Sequence, residues 1–149
     1  MDVRCPVNPM NAHFEIIDHT ADIGIRVKGS SLEELFLFAA EGMYGILACP
    51  KKPLIPSINY PVAVEAPSVD QLLVRWLSEL HMAFDLRHLV LTHFWIDEIS
   101  ETRVIGGGKG MKFDETRHRY GTQIKAVTYH KLRVERDGEG WVAEVIFDI

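Results

Sequence analysis

The 149-residue chain has the length of one ordinary domain, and 47% of its residues are hydrophobic, which is enough to build a core. This composition argues against disorder and against a coiled coil. With 16 Lys and Arg against 21 Asp and Glu, the net charge is −5. The chain therefore lacks the clustered positive charge with which a basic module wraps nucleic acid. An acidic protein can still act on an enzyme that handles nucleic acid.

No part of the sequence predicts a membrane-spanning or secretory segment. No run approaches the roughly 18 consecutive apolar residues of a membrane span. Residues 1–13 lack the apolar centre of a signal peptide. We therefore expect a cytoplasmic protein that has no contact with a membrane. Residues 1–13 are expected to be a flexible extension, and residues 14–149 are expected to form the domain.

Two short strands and an amphipathic helix are predicted near the beginning of the domain. Residues 14–18 and 23–28 have strand patterns, and the second segment alternates apolar and polar positions. Residues 31–34, Ser-Leu-Glu-Glu, have the spacing of a capping box. They predict a helix that continues to about Leu47 and buries one apolar face.

The remaining elements follow similar signals. A second capping box at residues 68–71 predicts a helix to about Phe84, with Trp76 on its core-facing side. The glycine-rich residues 106–110 are expected to form a flexible loop. The other predicted elements are strands over residues 58–66, 89–99, 103–105, 124–135 and 141–147. This order predicts one α+β domain, with a mixed, mostly antiparallel sheet and two amphipathic helices packed on it.

Common catalytic motifs are not found in the sequence. A phosphate-binding P-loop needs Gly-Lys followed by Ser or Thr, whereas Lys109 is followed by Gly110. The seven histidines form no HExxH pattern, and zinc needs at least three convergent ligands. His81 and His88, seven residues apart, are expected to be ordinary surface or partly buried histidines.

Carboxylates at two distant places in the sequence are more informative. Asp18 and Asp22 flank a short connection between the first two strands, and Asp148 precedes Ile149, whose α-carboxylate is ionised near neutral pH. If Asp22 reaches the chain end, three carboxylates converge and repel one another unless a cation or a shared proton lies between them. Oxygen ligands favour Ca²⁺, Mg²⁺ or Mn²⁺. The alternative, that these acidic groups are simply solvated, stays open.

Four segments of the chain together resemble the archease family. They are Asp18-His19-Thr20-Ala21-Asp22-Ile23-Gly24-Ile25, the helix start at residues 31–34, Lys125-Ala126-Val127-Thr128-Tyr129-His130, and Phe147-Asp148-Ile149. The resemblance extends from about Phe14 to Ile149. It implies metal binding by Asp22, Asp148 and the last residue, Ile149, with Asp18 as a secondary candidate. It implies no catalytic residue in this chain.

The resemblance also implies a function and a partner. Archeases are protein cofactors of the tRNA-splicing RNA ligase, a metal- and GTP-dependent enzyme that forms a covalent histidine–GMP adduct. They promote guanylylation of that histidine and so support multiple turnover in tRNA splicing and RNA repair. The resemblance therefore implies a non-catalytic activator that uses a divalent cation, with calcium favoured and magnesium or manganese as alternatives. It would contact RNA only indirectly.

Three further interpretations stay open at this point. His19, Thr128, Tyr129 and His130 either orient the acidic site through hydrogen bonds or are ordinary strand residues. A stand-alone metal-dependent phosphoesterase using Asp18, Asp22 and Asp148 is a competing function, although no general base with a clear partner is visible. A chaperone-like modulator of RNA-modifying enzymes is another.

Overall fold

The computed structural model describes residues 13–18 and 21–149, so the extension expected at residues 1–12 lies outside the described part of the chain. Within the described residues, two helices and ten strands form the predicted single α+β domain. The helices are α1 (Leu32–Leu47) and α2 (Val69–Arg87). The strands are β1 (Phe14–Asp18), β2 (Asp22–Gly29), β3 (Ala48–Pro50), β4 (Ile58–Glu65), β5 (Leu89–Ile99), β6 (Arg103–Lys112), β7 (His118–Tyr120), β8 (Ala126–Val127), β9 (Arg133–Asp137) and β10 (Gly140–Asp148).

The strands form three antiparallel sheets where the sequence predicted one. The largest has the order β1-β2-β10-β8, and β9 pairs with the same edge of β10 as β8 does, further along the strand. A second sheet has the order β4-β6-β5, and β3 and β7 form a third. β4, which contains Pro61, is an edge strand of its sheet. All pairings in the described residues are antiparallel.

Both helices begin where the sequence predicted, but only α1 has a side-chain cap at its N-terminus. The Ser31 hydroxyl accepts a hydrogen bond from the Glu34 backbone N–H at 3.1 Å, which satisfies a free amide of the first turn of α1. Ser68 is the N-cap of α2 but makes no such bond. Its hydroxyl instead donates to the Asp70 carboxylate.

The core lies between the helices and the two larger sheets. Trp76 is fully buried, as predicted, and its indole N–H donates to the Phe36 carbonyl at 3.1 Å. Leu35, Met43 and Leu77 are buried around it in the same apolar cluster. In the described part of the chain, neither helix combines the length and the apolar character that crossing a membrane requires.

The prediction of a flexible glycine loop at residues 106–110 is wrong. These residues lie inside β6, between β4 and β5. A Cβ atom on Gly106 would overlap the Trp95 carbonyl oxygen, and one on Gly110 would lie 2.6 Å from the Val90 carbonyl carbon. The glycines are therefore needed because the neighbouring backbone of β5 approaches too closely for any side chain.

Two other predicted boundaries also differ from the structure. The single strand expected over residues 124–135 is divided into β8 and β9 by a turn in which Lys131 has a φ of 52°. No strand was predicted between residues 105 and 124, but residues 118–120 form the short strand β7, which pairs with β3. Both differences arise from pairings between segments that are distant in sequence.

Candidate functional site

Asp22 and Asp148 are direct cross-strand partners. Asp22 is the first residue of β2 and Asp148 is the last residue of β10, and the antiparallel register pairs the two. Residues directly opposite in such a pair have Cβ atoms about 4.5–5.5 Å apart and project from the same face of the sheet. The structure therefore brings together two carboxylates that are 126 positions apart in the 149-residue sequence.

Both side chains project from the outer face of the sheet. Side chains alternate along a strand, so Asp22 shares its face with Arg26, and Asp148 shares its face with Glu144. The Arg26 guanidinium lies 3.3 Å from the Glu144 carboxylate, which confirms that these side chains are on one face. The intervening residues Ile23 and Phe147 are buried on the other face.

The Asp22 carboxylate is incompletely satisfied. Its Oδ1 atom is buried and has no hydrogen-bond partner among residues 13–18 and 21–149. A buried acceptor without a donor is costly, and most such atoms are paired in native proteins. Asp148 is exposed beside it. The pair thus combines an unpaired buried oxygen with a second, accessible carboxylate.

The last residues are held firmly against the domain. The Lys125 N–H donates to the Asp148 carbonyl at 2.7 Å, and Ala126 pairs with Asp148 in β8. The Ile149 side chain is partly buried and packs against the core. These contacts fix the position of the main chain at Ile149, next to the two aspartates.

Asp18 lies at the neighbouring end of β1, but its side chain projects from the other face of the sheet. It pairs with Ile23, which points into the core, and both its neighbours along that face, Phe14 and Ile16, pack against the core. Alternation therefore separates the Asp18 side chain from the face of Asp22 and Asp148. Its predicted secondary role stays a prediction.

The other residues expected around the site have different surroundings. The Thr128 hydroxyl donates to the Ile146 carbonyl at 2.8 Å, which ties the residues after β8 to the end of β10. Tyr129 and His130 are exposed, and within the described residues neither side chain hydrogen-bonds to Asp22 or Asp148. His19 lies outside the described residues.

The donor groups fit a hard cation with oxygen ligands. Among residues 13–18 and 21–149, no group of three or more His, Cys, Asp and Glu side chains is arranged to hold a metal. The carboxylates that the structure brings together are Asp22 and Asp148, and Ile149 follows directly. The unpaired Asp22 Oδ1 is the specific feature that a bound cation would satisfy.

The fold and the pair of aspartates define a small α+β protein with a candidate site at the end of the β2–β10 ladder. The chain belongs to the Archease protein family (MTH1598/TM1083), whose model matches residues 14–149. It is 34% identical over 140 residues to the protein archease of Methanosarcina barkeri, with 91% of this chain and 95% of that protein covered. It is 36% identical over 139 residues to the protein archease of Saccharolobus islandicus, with 91% and 98% covered.

Two solved structures share the fold. The solution structure of Methanobacterium thermoautotrophicum protein 1598 superposes with a TM-score of 0.70 at 27% identity, covering 92% of this chain and 99% of that one. The crystal structure of an archease from Thermotoga maritima, described as a possible chaperone, superposes with a TM-score of 0.64 at 21% identity, covering 91% and 96%. The resemblance inferred from the sequence motifs is thus confirmed.

Proposed function

We propose that this chain is a non-catalytic protein cofactor of a tRNA-splicing RNA ligase and promotes guanylylation of the ligase histidine. In this proposal, Asp22, Asp148 and the α-carboxylate of Ile149 hold a divalent cation, with calcium favoured over magnesium or manganese. Membership of the archease family over residues 14–149 supports the partner. The unpaired buried oxygen of Asp22, directly opposite Asp148, is the observation that supports the cation site.

The residues of this chain would act by position and charge. When bound, a divalent cation supplies charge neutralisation, which dominates phosphoryl and nucleotidyl transfer. The antiparallel register holds the two aspartates at the end of the β2–β10 ladder, where another protein can reach them. The core contact of Ile149 holds the third carboxylate beside them. A firmly held set of ligands loses little freedom when the complex forms.

The overall charge supports a protein partner of the opposite sign. The net charge of −5 favours docking on a basic, RNA-binding enzyme, since opposite charges raise the rate of association. RNA would then be contacted by the ligase and only indirectly by this chain. A cytoplasmic location is part of the same proposal.

Single-turnover guanylylation of a purified RNA ligase with labelled GTP tests the proposal. We expect the chain to accelerate formation of the histidine–GMP adduct, and Asp22→Ala and Asp148→Ala to remove the acceleration. Glu15→Gln is the matched control, because Glu15 is an exposed acid of the same sheet whose carboxylate is 3.0 Å from Arg26. An acceleration that is equal in all four proteins would overturn the role of the acidic pair.

A C-terminal extension tests the third ligand separately. Extending the chain beyond Ile149 converts its α-carboxylate into an amide, which is a weaker ligand for hard cations. We expect lower cation affinity and weaker stimulation, whereas the same peptide attached to the N-terminus should have no effect. Unchanged affinity after the C-terminal extension would remove Ile149 from the ligand set.

A chaperone-like role is the second candidate, because the related Thermotoga maritima structure is described as a possible chaperone. It predicts that this chain suppresses aggregation of an RNA-modifying enzyme in metal-free buffer, and that Asp22→Ala suppresses it equally well. The stand-alone phosphoesterase predicts turnover of a phosphate ester by this chain alone with Mg²⁺ or Mn²⁺. The three functions are therefore distinguished by partner and by metal requirement.

A further inference from the structure

Residues 121–125, which join β7 to β8, form a connecting segment that we call the strap. At its beginning, the Gly121 and Thr122 N–H groups donate to the carbonyls of Leu47 and Ile46, each at 2.8 Å. These carbonyls belong to the last turn of α1 and have no partner within the helix. The first half of the strap is therefore attached to α1.

The second half of the strap is attached to the candidate site. The Lys125 N–H donates to the Asp148 carbonyl at 2.7 Å, and the next residue, Ala126, pairs with Asp148 in the sheet. The position of the strap thus bears directly on the position of Asp148. A displacement of residues 124–125 would loosen the hydrogen bond that holds the Asp148 main chain at the end of β10.

A buried histidine of α2 holds the strap between these two attachments. His81 is only 7% exposed, and its Nε2 atom lies 2.8 Å from the Ile124 carbonyl oxygen. Because a carbonyl oxygen only accepts, Nε2 carries the hydrogen in this contact. The Ile124 side chain is itself buried in the core. The His81 bond is the hydrogen bond that joins α2 to the strap in the described residues.

Beyond His81, the end of α2 and the strap are separated by a cleft. A cleft of about 440 Å³ lies between the end of the helix, at Phe84 and His88, and the strap, at Gly121 and Gln123. The strap therefore has open space beside Gly121 and Gln123, whereas the buried Ile124 side chain packs in the core. The hydrogen bond from His81 restrains the chain at the border of this cleft.

We infer that His81 is a positioning residue for the candidate cation site, because it holds the strap and thereby the position of the Asp148 main chain at the end of β10. This inference rests on the proposed function, since the cation site belongs to that proposal. His81 acts through Ile124 and Lys125 and is not itself a ligand. Removing its hydrogen bond should weaken cation binding more than an equally buried substitution elsewhere does.

Calcium titration calorimetry on the full-length, metal-stripped protein tests the inference. We expect His81→Phe and His81→Asn to bind Ca²⁺ about tenfold more weakly, as for other residues that orient metal ligands indirectly. His81→Gln should bind within about twofold of the wild-type protein, because the Gln amide nitrogen takes the place of Nε2 and the shorter Asn does not reach. The Asn variant keeps the test valid if the Phe variant does not fold.

Tyr44→Phe is the matched control. Tyr44 is 3% exposed, and its hydroxyl donates to the carbonyl of Leu80, the residue before His81, at 2.6 Å. The substitution therefore removes a buried hydrogen bond to a backbone carbonyl without touching the strap. We expect its Ca²⁺ affinity to be unchanged. In metal-free protein, amide hydrogen exchange at Lys125 should be faster in His81→Phe than in Tyr44→Phe.

The outcomes separate this inference from the proposed function. If the wild-type protein binds Ca²⁺ and Asp22→Ala does not, but the Phe and Asn variants bind like Tyr44→Phe, the inference is overturned and the cation site stands. Equal weakening in the Gln and Phe variants also overturns it, because the hydrogen bond would then be irrelevant. If the wild-type protein binds no Ca²⁺, the proposed site fails and the inference fails with it.

Discussion

Asp22 and Asp148 lie opposite each other at the end of the β2–β10 ladder, where the start of one strand meets the end of the other. Their side chains share the outer face of the sheet, and the buried Asp22 Oδ1 has no hydrogen-bond partner in the part of the chain that the structure describes. Two like charges in directly opposite positions destabilise a sheet. The pair is therefore unfavourable for folding unless another group lies between the two carboxylates.

We expect Asp148→Asn to stabilise the metal-free protein and to remove its stabilisation by Ca²⁺. The gain in EDTA should be about 0.3 kcal/mol, at the low end for a cross-strand pair because Asp148 is exposed. Urea denaturation with EDTA and with Ca²⁺ measures both effects. Glu101→Gln, a substitution at an exposed turn, should give the same urea denaturation curves as the wild-type protein, both in EDTA and in Ca²⁺. A loss of stability in EDTA would contradict the repulsion between Asp22 and Asp148.

We expect Gly110→Ala to destabilise the protein by about 2 kcal/mol or more, because a Cβ there meets the backbone of Val90, which cannot move without disturbing β5. Gly45→Ala is the matched control. A Cβ on Gly45 lies 3.6 Å from the Phe14 ring, an ordinary contact, and alanine favours the helix by up to about 1 kcal/mol. Chemical denaturation of both variants checks this, and equal effects would contradict the close approach of β5 to β6.

The fold was predictable where the signal is local. The start of α1 follows from the Ser31 and Glu34 pattern, and β5 has its predicted bounds because apolar and aromatic residues recur along it. The position of Gly110 inside a strand could not be predicted from the sequence. Glycine is needed there because the backbone of β5, a different strand of the sheet, lies too close for a side chain. A glycine-rich segment normally indicates a turn, and tertiary pairing overrides that preference here.

The candidate site was predictable in its residue types but not in its geometry. The motif resemblance and the chemistry of carboxylates identify Asp22 and Asp148 from the sequence. The separation of Asp18 from their face depends on strand register, which requires the β1–β2 pairing. His81 was not identified either, because a single histidine on an apolar helix face usually indicates only a core position. Its bond to Ile124 requires the strap to be in place.

The stability of the protein should decrease in mild acid because of His118. The ring is 2% exposed, its Nδ1 accepts the Asp114 N–H at 3.1 Å, and burial lowers the pKa of the imidazole below its ordinary value. The unfolded chain, with a histidine pKa of about 6.5, therefore binds more protons than the folded chain just below that pH. The free energy of unfolding should then fall as the pH decreases from about 6.5.

The variant His118→Gln separates this effect from other titrating groups. It should be less stable than the wild-type protein at pH 7.5, since it loses the stacking of His118 on Phe113, and it should lose less stability between pH 6.5 and 5. Urea denaturation at three or four pH values in that range gives both slopes. Equal slopes for the two proteins would show that His118 contributes no pH dependence.

Glu41 should affect stability with the opposite dependence on pH. Burial raises the pKa of its carboxyl group, although His13 and His93 oppose the shift, and Oε2 is buried with no hydrogen-bond partner among the described residues. The folded protein therefore binds more protons than the unfolded chain above the ordinary pKa of a glutamate, so ionisation of Glu41 lowers stability as the pH rises through this range.

We expect Glu41→Gln to stabilise the protein at pH 7 by about 0.5 kcal/mol, a modest gain because the side chain is only half-buried. The gain should be much smaller near pH 4, where the wild-type carboxyl group is mostly protonated in both states. Glu33→Gln, an exposed carboxylate in the first turn of the same helix, should instead be neutral or slightly destabilising because it loses a favourable charge at the helix N-terminus. Thermal unfolding at pH 4 and pH 7 distinguishes the two variants, and a stabilisation by Glu41→Gln that is equal at both pH values would exclude ionisation of Glu41 as its cause.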